Sequence, residues 1–328
     1  MQLKYLVIGS GAIGGVTTAY LARAGKDVTM IARGENLEVI QREGLHVRNT
    51  GEAFDIKVRA SSWADYQETP DIVIAAIKGY SLDSLIPDLD RVISEDTIVV
   101  PIANSLDMGS AIADNLEKKS TVTGGVAYIV AERTHPGRIA HNVDFYKIVV
   151  GMRDGSPVPE ALHQMQKDFA EAGIEVLFRD HPVKSALRKF FRVSLYSAVC
   201  CYYDSTVGPI REDPAGRKLF KDLSRELLDI AEAMGVPFGK ADEEPFPGMP
   251  VEEETLQFFL NMYPDYQPSM KIDWDNDRQT EIREQILDVI DLGEEYGLAM
   301  PAYREVAREL IRKKPEQVRE ADRLRYGR

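Results

Sequence analysis

The chain has 328 residues, 44% hydrophobic and 28% charged, the profile of a folded globular protein with room for two domains. Its net charge of -13 repels phosphate backbones and argues against nucleic acid as a partner. Two adjacent cysteines, Cys200 and Cys201, argue against a disulfide framework or a cysteine metal site, and no apolar run approaches the ~20 residues that cross a bilayer.

The start, MQLKYLVIGSG, enters a strand at once without the layout of a signal peptide, so a reducing cytoplasm is the expected location. LKYLVI, DVTMIA, DIVIAAI, TIVVPIA and STVTGGVAYIV are predicted strands, and amphipathic stretches near 12–24, 35–43, 80–93 and 107–116 are predicted helices. This alternation predicts an α/β fold with a Rossmann-like, doubly wound, mostly parallel sheet. Residues 45–60 break the rhythm as a hairpin turning at Asn49-Thr50-Gly51. RIAHN and KIVVGM add strands, followed by the helix PEALHQMQKDFAEAG and the strand IEVLF. From about residue 183 helical spacing dominates, in 183–203, 214–234, 252–262, 278–296 and 301–314. The expected division is a dinucleotide-binding domain over 1–180 and an all-α substrate and catalytic domain over 181–328. The Pro- and Gly-rich segment FGKADEEPFPGMPVEEE is expected to be a loop, and the six carboxylates of 242–254 its solvated face. The charged tail after Lys314 continues as a surface helix or frays.

Residues 9–14, Gly9-Ser10-Gly11-Ala12-Ile13-Gly14, follow a strand and open a helix, the context in which GxGxxG binds a dinucleotide. Gly9 allows the tight turn, Gly11 lets a pyrophosphate approach, and Gly14 lets helix and strand pack. The free N–H groups at the helix start face the phosphates. A glycine-rich turn that binds nothing is the competing reading. The second strand ends in Arg33 where an NAD site usually has an acid, and a guanidinium suits the 2′-phosphate of NADP. Glu35 is close enough to hold a ribose instead, and Arg33 as a plain surface residue is the bland alternative. The buried-looking run Ile72–Ile77 stops at Lys78. At the carboxyl end of a parallel strand that ammonium can project toward a cofactor, and Asn104 holds a similar place after TIVVPIA. Either is otherwise an ordinary polar strand end. His135 and His141 are too few for a metal site, and the cysteine pair reads as core.

These motifs together resemble the ketopantoate reductase (2-dehydropantoate 2-reductase) family, from Leu3 to about Lys314. The resemblance rests on GSGAIGG with the following ARG, AAIKGY, IANSLDMG and PGRIAH. It continues in LRKFF, SMKID and TEIREQILDVIDLGEEYGLAMPAY, the last match being the most specific. It implies NADPH-dependent reduction of a 2-oxo acid, ketopantoate or a related acid, to the 2-hydroxy acid. Lys189 would be the general acid and Glu281 its partner, also touching the cofactor. Lys78 and Asn104 would line the cofactor and substrate crevice, Ser269 would bind substrate, and Ala131 would lie against the cofactor. The family's helix bears asparagines four and eight residues beyond the lysine, where this chain has Val193 and Ser197. A third asparagine, three residues before the family's serine, is replaced by Tyr266. The catalytic skeleton is kept while three amide contacts to substrate are gone, which points to an altered substrate.

A proton donor is required because hydride transfer to a ketone leaves an alkoxide. Lysine serves if desolvation or a nearby cation lowers its pKa, and Phe190, Phe191, Val193 and Lys78 are candidates for those effects. Without the resemblance, Lys189 among Lys184, Arg188 and Arg192 reads as a solvated basic face, and Glu281 beside Arg283 and Glu284 as helix surface. A non-catalytic NADP-binding sensor of the same fold is the alternative function, and a dehydrogenase of a hydroxy acid or phosphorylated polyol ranks last. A small-molecule acid is the expected partner, and a homodimer the assembly that an apolar helical face would allow.

Overall fold

The computed structural model describes residues 2–106, 108–236 and 252–327, with the side chains of 252–254 outside that description. The expected acidic loop at 238–254 therefore falls largely outside the described residues. Contacts divide the chain into two units. One comprises 1–103 and 107–186, the other 104–106 and 187–328. The division falls inside a helix rather than in a linker: α6 (Pro182–Tyr203, named here in chain order) runs through Ala186 and Leu187.

The first unit is built on an eight-stranded sheet. Its strands in chain order are β1 (Lys4–Ile8), β2 (Asp27–Ile31), β5 (Arg59–Ser61), β6 (Ile72–Ala75), β7 (Ile98–Pro101), β8 (Thr121–Tyr128), β11 (Lys147–Met152) and β12 (Glu175–Phe178). The spatial order is β12-β11-β8-β7-β6-β1-β2-β5. All neighbours are parallel except β8 and β11. The central strands β6 and β7 are buried at every residue, as expected of apolar runs covered on both faces. From β1 the chain goes one way to β2 and the other way to β6, so the end of β1 lies at a topological switch point.

Helices α1 (Ala12–Arg23), α2 (Gly34–Glu43), α3 (Leu82–Val92), α4 (Met108–Ala113) and α5 (Glu160–Glu171) complete the unit. The expected hairpin forms from β3 (Leu45–Arg48) and β4 (Ala53–Ile56). It joins β9 (Ala131–His135) and β10 (Arg138–His141) in a second sheet of order β4-β3-β10-β9. Residues 131–135, where no element was expected, form β9 antiparallel to β10.

The second unit contains only helices among the described residues. Besides most of α6 these are α7 (Val207–Glu212), α8 (Pro214–Ala233), α9 (Glu252–Leu260), α10 (Ser269–Asp275), α11 (Asp288–Glu295), α12 (Pro301–Lys313) and α13 (Glu320–Tyr326). α8 shows why they form. Asp213 caps it by accepting from Ala215 N at 3.0 Å, Pro214 opens it, and Leu219, Phe220, Leu223, Leu227 and Ile230 recur on one buried face. Glu226 on α8 then caps α12, accepting from the backbone N–H of Ala302 at 2.7 Å and Tyr303 at 3.0 Å. The short helices α7 and α10 lie where no helix was expected, since six or seven residues carry too little periodicity to stand out. No helix among the described residues is long and apolar enough to cross a membrane.

Candidate active site

The residues expected to bind a nucleotide, apart from Asn104, sit in the first unit. Gly9 has φ +104°, and a Cβ there would lie 2.3 Å from the Ala76 carbonyl oxygen. A Cβ on Gly14 would lie 1.9 Å from Gly9 O, whereas one on Gly11 would meet nothing within 4 Å. Two glycines are thus required by packing, and the third stands beside open space at the start of α1, where backbone N–H groups are unpaired by the helix. This is the shape a pyrophosphate needs, so the residues present fit a dinucleotide. Ser10, Ala12 and Ile13 are part-buried around it. A brace that sequence reading missed holds this turn. The buried Asn36 donates from Nδ2 to Ser10 O at 2.9 Å, and its Oδ1 accepts from Gly137 N at 2.8 Å. Arg33 is exposed at the N-cap of α2, just beyond β2, with Glu35 exposed beside it. Lys78 is part-buried, three residues past the last residue of β6. Ala131 opens β9 and is part-buried against the core.

The second unit gathers Asn104, Lys189 and Glu281. Lys189 Nζ donates to Asn104 Oδ1 at 2.6 Å, which leaves the amide's NH2 for another acceptor. Burial pushes the Lys189 ammonium down to about 7; the positive charge of Arg192 adds to this, and the negative charge of Glu281 opposes it. Glu281 is 3% exposed, not helix surface, and its Oε2 accepts from Gln285 Nε2 at 3.3 Å. It stands at the start of a helix whose first residues, Arg283–Leu287, form a π turn. Ser194 on α6 donates to Gln285 O at 2.6 Å and shares a 2.7 Å bond with Tyr303 OH, tying that turn to α6 and α12. An amine titrating near neutrality can give up a proton at working pH, and a buried carboxylate keeps a share of it charged.

Residues 5–155 match the family described as ketopantoate reductase PanE/ApbA, and residues 183–314 match ketopantoate reductase PanE/ApbA C terminal. The chain belongs to the ketopantoate reductase family. A 2-dehydropantoate 2-reductase of Aquifex aeolicus is 25% identical over 312 residues, covering 92% of this chain and 94% of that protein. Among solved structures, a PanE/ApbA family ketopantoate reductase from Ralstonia eutropha superposes with a TM-score of 0.84 at 20% identity, covering 96% of this chain and 99% of that one. A D-mandelate dehydrogenase, solved with NADH and anilino(oxo)acetate, gives 0.81 at 19% identity, covering 95% and 99%. The chain is therefore an oxidoreductase of this family, which works with a nicotinamide cofactor.

At the positions where the resemblance implies amides, the ketopantoate reductase frame here carries other chemistry. Val193 is part-buried, and Ser197 is fully buried with an Oγ that has no hydrogen-bond partner in the structure. Tyr266 is part-buried and meets the Tyr196 ring edge-on at 5.4 Å. Ser269 is the exposed first residue of α10. The basic stretch of α6 is not a solvated face: Arg188 is 1% exposed, and Arg192 is part-buried over the Phe258 ring at 4.6 Å. Sequence reading missed Arg192 because an arginine turned inward and one turned outward look alike in a row of letters. Cys200 and Cys201 are both buried, and burial pushes the Cys200 thiol up to about 12 and Cys201 higher still. His141 is held by Tyr20 OH at 2.9 Å and Phe145 O at 3.1 Å. No group of three metal-binding side chains occurs among the described residues.

Proposed function

We propose that the chain uses NADPH to reduce a 2-oxo acid, ketopantoate or a less polar relative, to its 2-hydroxy acid. The reading rests above all on Lys189, an amine brought to about 7 beside a buried carboxylate and bonded to Asn104. When bound, the cofactor would supply the hydride that the keto carbon takes up. Lys189 gives its proton to the oxygen that becomes negative, and ends as a neutral amine. Asn104 aims Lys189 through its carbonyl and keeps its NH2 to donate toward the same oxygen. Glu281 sustains the protonated state before transfer. Lys78 binds the cofactor, and Ser269 and Ser197 contact the substrate's far side. Loss of amides at 193 and 266 favours an acid with fewer hydrogen-bonding groups than ketopantoate. The D-mandelate dehydrogenase of this fold, with an aryl-bearing oxo acid bound, supports a substrate of that kind.

NADPH oxidation against a panel of 2-oxo acids tests the reading. Turnover on at least one acid, lost in Lys189→Ala while NADPH still binds, is the expected result. Tight NADPH binding without turnover on any acid favours a sensor and overturns the proposal. Arg33, exposed beyond β2, supports NADPH over NADH. Arg33→Ala is expected to weaken NADPH binding by about 10- to 100-fold and leave NADH binding little changed, as read by nicotinamide fluorescence titration.

A further inference from the structure

A second cation stands three places beyond Lys189. Arg192 lies one turn on along α6, so the two side chains leave the same face with Cβ atoms about 5–6 Å apart. Its guanidinium stacks over the Phe258 ring at 4.6 Å, and it makes no ion pair with a carboxylate among the described residues. Tyr196 lies a further turn along the same face of α6 and meets the Tyr266 ring at 5.4 Å, and the Arg192 charge acts on Lys189, Tyr196 and Tyr266. The Tyr196 hydroxyl is buried, at 2% exposure, and has no hydrogen-bond partner in the structure. Among the described residues this part-buried guanidinium has no acid opposite it, and the buried phenol one turn on has no hydrogen-bond partner, an arrangement short of an anion.

We propose that Arg192, with the Tyr196 hydroxyl beside it, binds the carboxylate of the 2-oxo acid while Lys189 addresses its keto oxygen. This rests on the reduction proposed above and names the group that selects the substrate. A 2-oxo acid carries its two oxygen functions on adjacent carbons, a spacing that two cations one helical turn apart can bracket. Tyr266 and Phe258 then face the acid's remaining group with aromatic surface. The recognition built elsewhere in the family from amides is replaced here by a guanidinium and a phenol. A ketone or ester with the same carbon frame would lack the charge that Arg192 needs.

The experiment uses the full chain with NADPH and compares Arg192→Met, Arg192→Lys and Tyr196→Phe with the wild type. Substrates are the best of phenylglyoxylate, pyruvate and ketopantoate, together with the methyl ester of that acid. Arg192→Met is expected to raise KM for the acid by about 10- to 100-fold and for the ester by less than about threefold, with NADPH affinity unchanged. Arg192→Lys should recover part of the loss, and Tyr196→Phe should show a smaller effect of the same kind. Equal losses on acid and ester, or none on either, would overturn the assignment and leave Arg192 as packing for Phe258. If the wild type turns over no acid, the function fails at its own test. The anchor is then read by calorimetry of phenylglyoxylate on the NADP-loaded protein. Binding that vanishes in Arg192→Met supports the anchor, and binding that persists, or is absent in the wild type, refutes it.

Discussion

Lys189 carries a stability penalty along with its chemical capacity. In the unfolded chain a lysine titrates near 10.4, and in the folded protein this one titrates near 7. Above about pH 10 both states hold a neutral amine. As the pH falls, the unfolded chain takes up the proton first and is favoured, until the folded protein follows near 7. The penalty is therefore absent at high pH, grows between about 10 and 7, and is complete below 7. Lys189→Met should raise stability by about 2–4 kcal/mol at pH 7 or below, with the gain shrinking toward pH 10, as measured by thermal unfolding across that range. The wild-type rate of reduction should fall above about pH 7, because the donor must be protonated. A flat kcat/KM from pH 6 to 9 would contradict the assignment of Lys189. Residues of this kind were legible only through motif resemblance. Nothing in LRKFF by itself distinguishes a desolvated lysine from a solvated one, and Arg192 was legible by neither route.

Among the elements, the turn from β1 into α1 leaves the least room for change. A methyl group on Gly14 would press on the Gly9 carbonyl from 1.9 Å and on Ala76 Cβ from 3.3 Å. Gly14→Ala should therefore displace the turn, at a cost of about 1–3 kcal/mol, and weaken NADPH binding by about tenfold or more in a fluorescence titration. Gly11→Ala meets no protein atom, so any loss of affinity there would come from the ligand's side alone. This element was readable in advance because glycine spacing, strand and helix coincide within a few residues. The second sheet was not. β4 and β9 are largely exposed, and β3 and β10, some 90 residues apart in the chain, pair in parallel through topology that no local pattern encodes. The π turn at Arg283–Leu287 was equally invisible, since its letters continue an ordinary amphipathic helix.

For the molecule as a whole, strand and helix alternation followed by helices alone was legible, because buried parallel strands demand unbroken apolar runs. The polar ties that hold those layers were not. Asp168 on α5 accepts from Tyr5 OH of β1 at 2.6 Å and from Lys26 Nζ at 2.8 Å, joining three segments far apart in sequence. Burial pushes this carboxyl up, but the bonds from Lys26, Tyr5 and Gln164 outweigh it and hold the group below its ordinary value. Its stabilising effect is present above the unfolded value of about 3.9 and is lost as the pH falls through the lower folded one. Asp168→Ala strands the buried Tyr5 phenol and leaves Lys26 with Glu171 as its remaining carboxylate, and should lower stability by about 2–4 kcal/mol at neutral pH in urea unfolding. The deficit should narrow in strong acid. An unchanged midpoint would show that the tie carries no net energy.

The two adjacent thiols of α6 have a practical corollary. Both are enclosed and remain protonated well beyond neutral pH, so alkylating dyes have little thiolate to attack. A single cysteine introduced at an outward site such as Tyr263, 80% exposed, would then take up a fluorophore almost alone, turning the native chain into a ready scaffold for labelling without first removing its own sulfur.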